Sequence, residues 1–221
     1  MKFQQNSFDL VVFDWDGTLM DSAAAIVASL QGACRDLDFP VPSDEQARYI
    51  IGLGLHDALS CILPGLDASQ YPRVVDRYRH HFLALDGGTA LFPGIAEVVA
   101  GLHDAGYQLA IATGKSRRGL ARALDATGLV SYFHATRCAD EGHTKPHPGM
   151  LQAVMHQVGA GSDRTLMIGD TTHDLEMARA AGVAALGVAY GAHPHDALLA
   201  CGPLACVASV AELSDWLAVH G

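Results

Sequence analysis

Lysine is almost missing from this chain of 221 residues, standing only at Lys2, Lys115 and Lys145. Any chemistry that needs a lysine therefore has few candidates. Long apolar runs are missing as well. None approaches the roughly 18 residues of a membrane-spanning helix, and Met1 to Ser7 is polar, without the apolar core of a secretory signal. A cytoplasmic protein without a membrane partner is expected. No C-x-x-C occurs. The five cysteines (Cys34, Cys61, Cys138, Cys201, Cys206) are scattered and odd in number. That excludes a disulfide framework and suits free thiols in a reducing compartment. Positive charge is scarce, with 14 Lys and Arg against 24 Asp and Glu and a formal net charge of −10. Such a balance argues against a nucleic-acid partner bound over a broad surface.

Apolar residues are plentiful. Half the chain is hydrophobic and 17% is charged, which supplies a core and excludes a disordered chain. The length suits one large domain, or a core with a smaller insert. Short β-branched runs read as buried strands at Phe8–Phe13, Gln108–Thr113, Thr165–Gly169, Ala185–Tyr190 and Ala205–Ala208, with a weaker run near Tyr132–Ala135. Between them lie helical patterns at Pro93–Ala105, Arg117–Thr127, Pro148–Val158, Leu175–Ala181 and Ala211–Val219. Several stop at a glycine. This alternation predicts an α/β fold, a doubly wound parallel sheet with helices on both faces. One segment breaks the rhythm. Ala23–Leu37, Ser43–Ile51, His56–Leu63 and Tyr71–Leu85 all read as helices, with no strand between them. A helical insert over residues 22–87 is expected, on a core of residues 1–21 and 88–221. Its hinges are expected near Asp21–Ser22 and at the Gly87–Gly88 pair.

The residues with the most chemistry lie at strand ends. Asp14-Trp15-Asp16-Gly17-Thr18 follows the first strand. Two carboxylates two residues apart in extended chain point to one side, into the ligand crevice of an open sheet. They repel, so a cation or a shared proton is expected between them. A calcium loop is excluded, because Gly17 comes too early and position 25 is Ala. Gly169-Asp170-Thr171-Thr172-His173-Asp174 follows another strand. Asp170 and Asp174 are one helical turn apart and can face one site, although either could instead serve as a helix N-cap. Thr113-Gly114 ends a third strand, offering a hydroxyl beside a bare amide, which suits phosphate. Lys145 precedes a helix start, where the helix dipole is positive.

Together these pieces resemble the haloacid dehalogenase superfamily of phosphatases, in the branch with a helical cap after the first strand and closest to the phosphoglycolate phosphatase group. The segments that carry the resemblance are DWDGTLMDS from Asp14, AIATGKS ending at Ser116, KPHPGML from Lys145 and IGDTTHDLEMARAAG from Ile168. The resemblance implies a Rossmann-like core and Mg²⁺-dependent hydrolysis of a small phosphorylated metabolite, by a monomer or homodimer. Asp14 would be the nucleophile that forms an aspartyl-phosphate. Asp16 would be the general acid and then the base. Mg²⁺ would be held by the Asp14 side chain, the Asp16 backbone carbonyl and Asp170, with Asp174 beside it. Thr113, the Gly114 amide and Lys145 would hold the phosphoryl oxygens. Asp at position 16 disfavours a dehalogenase. The insert has no lysine, which excludes the Schiff-base chemistry of the family's phosphonatases. A β-phosphoglucomutase-type mutase, a nucleotidase or pyrophosphatase, and an idle binding protein on the same scaffold share the pattern.

Other conspicuous residues carry less. None of the twelve histidines matches a zinc signature, although His173 lies inside the Asp170 motif. Gly52-Leu53-Gly54 lacks the preceding strand of a dinucleotide loop and, as the resemblance implies, is expected to be a cap loop closing over the site. Arg73, Arg77 and Arg79 read as a solvated helix face, with recognition of a substrate carboxylate as the alternative. Arg48 and His56 are similar cap candidates. The Trp15 ring is expected to pack away from the site.

Overall fold

The computed structural model describes residues 7–86 and 88–221. The Gly87 half of the expected hinge therefore lies outside the described residues. The chain opens with strand β1 (Leu10–Phe13) and enters four helices, α1 (Ala23–Asp36), α2 (Asp44–Tyr49), α3 (Leu55–Ile62) and α4 (Tyr71–Asp86). It then alternates through α5 (Ile95–Asp104), β2 (Gln108–Thr113), α6 (Arg117–Thr127), β3 (Ala135–Cys138), α7 (Gly149–Val158), β4 (Thr165–Gly169) and α8 (Thr172–Ala181). It closes with β5 (Ala184–Val188), α9 (His195–Ala200), β6 (Ala205–Val207) and α10 (Val210–His220).

The six strands form one parallel sheet in the order β3-β2-β1-β4-β5-β6. Strand β1 is central, and all four of its residues are buried. Its near-continuous apolar run follows from helices covering both faces. Val11 and Phe13 join Leu109, Ile111, Leu166 and Ile168 on one face, under Val99 and Leu102 of α5 and Leu213 and Leu217 of α10. Leu10 and Val12 join Ala110, Ala112 and Met167 on the other, under Leu151 and Val154 of α7 and Met177 of α8. This is the strand's two-residue period at work. Each large side chain so buried contributes about 1.5–3 kcal/mol.

The four helices after β1 gather around a separate apolar cluster. Leu30 and Cys34 of α1, Leu59 of α3 and Val74, Val75 and Phe82 of α4 are among its buried members, and Ala192 from the core joins it. In the core, strand order reverses beside β1, where the chain leaves for β2 on one side and returns to β4 on the other. In open α/β sheets, ligands bind at the carboxyl ends of strands at such a reversal.

Three local expectations need correcting. Strand β3 lies at Ala135–Cys138, not near Tyr132–Ala135, and Val130–Tyr132 is a short 3₁₀ turn. It is an edge strand with its two middle residues half-buried, so its apolar signal is weak. Helix α9 was not expected, being six residues long with one buried apolar residue, Leu198. Strand β1 begins at Leu10 rather than Phe8.

Candidate active site

Asp14 immediately follows β1, and its backbone N–H donates to the Ile168 carbonyl of β4 at 2.9 Å. Asp170 immediately follows β4, Thr113 ends β2, and Lys145 lies in the turn ahead of α7. All four are buried, as is Asp174 on α8. The fold thus brings together the strand-end residues that the sequence singled out.

The centre of the site is charged and closed to solvent. Lys145 Nζ lies 2.7 Å from Asp14 Oδ1 and 2.7 Å from Asp174 Oδ1. Burial alone would lower the lysine pKa, but the Asp14 and Asp174 charges outweigh it and hold the ammonium well above its ordinary value. Asp170 makes different contacts. Its Oδ1 accepts from Thr18 Oγ1 at 2.8 Å, and its Oδ2 accepts from the Ala192 N–H at 2.7 Å. Burial, and then the charges of Asp14 and Asp174, push its carboxyl well above the usual range. Burial likewise pushes Asp14 up to about 7, against the lowering by Lys145.

Three carboxylates thus share a dry site with one ammonium. Asp14, Asp170 and Asp174 each offer one oxygen, and these lie within 4.8 Å of one another. Asp14 Oδ2 is buried and has no hydrogen-bond partner among the described residues. Excess buried negative charge, hard oxygen donors and an unpartnered oxygen fit a divalent cation such as Mg²⁺.

Asp174 serves two purposes. Thr171, not either aspartate, is the N-cap of α8, and Asp174 completes the capping box by accepting from the Thr171 N–H at Oδ2, at 3.1 Å. That leaves Oδ1 for Lys145. Capping and site chemistry, alternatives in the sequence, are met by the two oxygens of one carboxylate.

Asp16 has partners of its own. Its carboxylate lies outside the three-carboxylate group. It accepts from Ser22 Oγ at 2.6 Å and from Lys115 Nζ at 2.8 and 3.0 Å. The cation beside Asp16 is thus a lysine of the chain. Between the two aspartates, Gly17 adopts a positive φ of 83°. A Cβ there would strike Asp170 Oδ2, so the turn needs glycine for conformation and for space. The Trp15 ring is fully buried in the core.

Sequence reasoning passed over Lys115, Thr18 and Ser22. The rarity of lysine was the available signal for Lys115, which sits within AIATGKS. Thr113 Oγ1 accepts from the Lys115 N–H at 3.2 Å, which fixes the turn that aims the lysine at Asp16. Gly114 is packed against the insert, where the Gly52 and Leu53 carbonyls close over it.

Two histidines tie the insert to the core. His173 Nε2 and His193 Nε2 reach the Tyr49 carbonyl at 2.8 and 3.0 Å. His193 Nδ1 accepts from the Thr172 N–H at 3.1 Å, so its other nitrogen carries the proton and donates to Tyr49. Thr144 donates to Asp57 across the same boundary. Arg77 pairs with Asp36 at 2.5 Å within the insert, while His56 packs against Tyr71 with ring centroids 4.9 Å apart. Among the described residues, no helix is long and apolar enough to cross a membrane.

Residues 11–188 match the family model described as haloacid dehalogenase-like hydrolase. "Probable phosphatase IndB" of Dickeya dadantii is 40% identical over 209 residues, covering 92% of this chain and 91% of that protein. A phosphoglycolate phosphatase of Vibrio parahaemolyticus is 30% identical over 224 residues, covering 97% of this chain and 98% of that one. The crystal structure of a hydrolase from Pseudomonas syringae shares the fold, with a TM-score of 0.88 at 23% identity over 96% of this chain and 98% of that chain.

Proposed function

This chain belongs to the haloacid dehalogenase-like hydrolases and is a phosphate-ester hydrolase, and on that premise we propose that it hydrolyses small phosphate monoesters through an aspartyl-phosphate on Asp14. The observation that carries this reading is Asp14 itself. It stands at the sheet's switch point with Oδ1 against Lys145 and Oδ2 buried without a hydrogen-bond partner among the described residues. A carboxylate so held is aimed but not used up by the fold.

In the first step Asp14 attacks phosphorus and the alcohol oxygen leaves with the proton of Asp16. In the second, Asp16 takes a proton from water as the water attacks the phosphoenzyme, releasing phosphate and freeing Asp14. Thr113, the Gly114 amide and Lys145 hold the phosphoryl oxygens and offset their charge. Asp14, the Asp16 carbonyl and Asp170 would hold Mg²⁺, with Asp174 beside it. When bound, the ion supplies positive charge against the phosphate and keeps the carboxylates ionised. Lys115 and Ser22 hold the Asp16 carboxylate in place.

The helical insert, residues 22–87, acts as a cap on the core of residues 1–21 and 88–221, in a cytoplasmic enzyme. Phosphoglycolate, in the name of the Vibrio relative, is the starting point for substrate trials. The test is turnover of p-nitrophenyl phosphate with Mg²⁺ by the native chain and by Asp14→Asn. The native chain should release phosphate and leave an acid-stable phosphoenzyme on rapid quench, and the variant should do neither. Full activity in Asp14→Asn would sink the mechanism.

A further inference from the structure

Between the insert and the core lies a cavity of about 540 Å³. That is within the range of roughly 300–1,000 Å³ that suits ligands of many atoms. Asp16, Gly114 and Lys115 border it on one side, so it opens directly onto the groups that would meet a leaving alcohol. Its remaining wall is mostly apolar. Ile26 and Leu30 come from α1, Leu53 from the loop before α3, and Val75, Tyr78 and Phe82 from α4.

The α4 contribution is a built stripe. Tyr71, Val75, Tyr78 and Phe82 recur at intervals of four, three and four, so they share one helix face. The Tyr78 and Phe82 rings lie nearly parallel, with centroids 5.9 Å apart and planes 20° from each other. Lys115 Nζ stands 4.9 Å from the Phe82 ring centroid. The acidic groups that line the cavity are already engaged: Asp16 by Lys115, and exposed Asp140 by the Arg117 N–H at 2.9 Å. Exposed Arg79, Arg118 and Arg122 also line the cavity. They give it a sign opposite to the chain's net charge and draw phosphate esters toward it.

We propose that the substrate is a phosphate monoester of a ring-bearing alcohol, with its apolar ring seated against the α4 stripe. This rests on the phosphatase reading of the same site. A wall of this kind favours a ligand only to the extent that the ligand brings apolar surface to it. A two-carbon acid brings almost none, whereas an aromatic ring meets Tyr78 and Phe82 in the offset or edge geometry that rings prefer.

The test compares 2-phenylethyl phosphate with ethyl phosphate and phosphoglycolate at saturating Mg²⁺. The first two leave as aliphatic alcohols of similar acidity, so their difference reports the cavity. The phenylethyl ester should show kcat/KM at least tenfold above the other two, and Phe82→Ala should narrow its ratio to ethyl phosphate. Binding of 2-phenylethanol to the native chain, read by saturation-transfer NMR, checks the cavity without catalysis. Equal kcat/KM values, or preference for phosphoglycolate, would overturn the proposal, as would absence of 2-phenylethanol binding. Bound 2-phenylethanol with no ester turned over would leave the ring site standing and overturn the phosphatase reading instead.

Discussion

Lys115 Nζ grips both oxygens of Asp16, at 2.8 and 3.0 Å, although the two residues lie 99 positions apart. The pair sits where the end of β1 meets the turn after β2, with side chains only 12% and 11% exposed. So shielded, it is screened less than a surface ion pair, and removing either partner would leave the other charge largely buried. On the mechanism proposed above, Lys115 would be a positioning residue, acting on the reaction through Asp16.

Lys115→Met should therefore lower kcat about tenfold or more, equivalent to about 1.4 kcal/mol of barrier, with KM changed far less. Lys115→Arg keeps a cation at the site and should recover part of the loss. Steady-state kinetics on both variants decide the matter. A Lys115→Met enzyme with native kcat would show that Asp16 needs no such partner.

Asp170→Asn should separate activity from stability. In the metal-free chain Asp170 adds to a buried excess of negative charge, and burial already pushes its carboxyl toward the neutral form. An amide there can still accept from the Ala192 N–H and meet the Thr18 hydroxyl. The variant should melt higher than the native chain in EDTA, by a few degrees, while losing phosphatase activity. Mg²⁺ should raise the native Tm, as a ligand specific to the folded state does, and leave the variant unmoved. A variant that melts well below the native chain in EDTA would contradict the charge argument.

The pH dependence follows from Asp14. Burial, opposed by Lys145, places its carboxyl at about 7, against an ordinary 3.8. Between those values the metal-free folded chain keeps a proton that the unfolded chain has lost. Stability from this group therefore falls as pH rises from about 4 to about 7. Mg²⁺ competes with the same proton, so its affinity should rise over the upper part of that window and its binding should release protons. Calorimetric titration of Mg²⁺ at pH 6 and pH 7, in buffers of different ionisation enthalpy, measures both. Affinity independent of pH, with no proton release, would refute it.

Much of this was legible in the chain itself, and the exceptions have physical causes. Strands β2 and β4 and helix α6 have the bounds read from their residues, because buried strands are apolar throughout and α6 has a Ser116 cap and a Gly128 stop. Strand β3 was displaced because an edge strand with Thr136 and Arg137 at its centre has little apolar signal. Asp14, Thr113 and Asp170 could be grouped because each ends or follows a strand, and parallel topology gathers such ends, while Lys145 ahead of α7 and Asp174 on α8 joined them through the family resemblance. The Asp16–Lys115 pair could not, since it depends on which way a turn points each side chain after two distant strands have paired. The cavity's apolar stripe was hidden for a related reason. Tyr71, Val75, Tyr78 and Phe82 have the spacing of an ordinary core face, and only the fold shows that the face borders an open space.

Gly114 provides the last test, at the contact between insert and catalytic turn. A Cβ there would fall 2.6 Å from the Gly52 carbonyl oxygen and closer still to that of Leu53. Both obstacles are backbone, so no side-chain rotation relieves the clash. Gly114→Ala must lift the Gly52–Leu53 loop or displace the turn that carries Thr113 and Lys115. Either movement disturbs the Gly114 amide proposed to bind phosphate and the Asp16–Lys115 pair together, so kcat/KM should fall by two orders of magnitude or so, about 2.7 kcal/mol of barrier. The apolar clusters on the two sheet faces are untouched, so the melting temperature should drop by only a few degrees. Gly65→Ala, where a Cβ meets nothing within 4 Å, serves as the control within the insert and should leave kinetics unchanged. Native kinetics in Gly114→Ala would mean that the insert need not approach this turn for catalysis, and that the contact at Gly114 belongs to a resting arrangement of the enzyme.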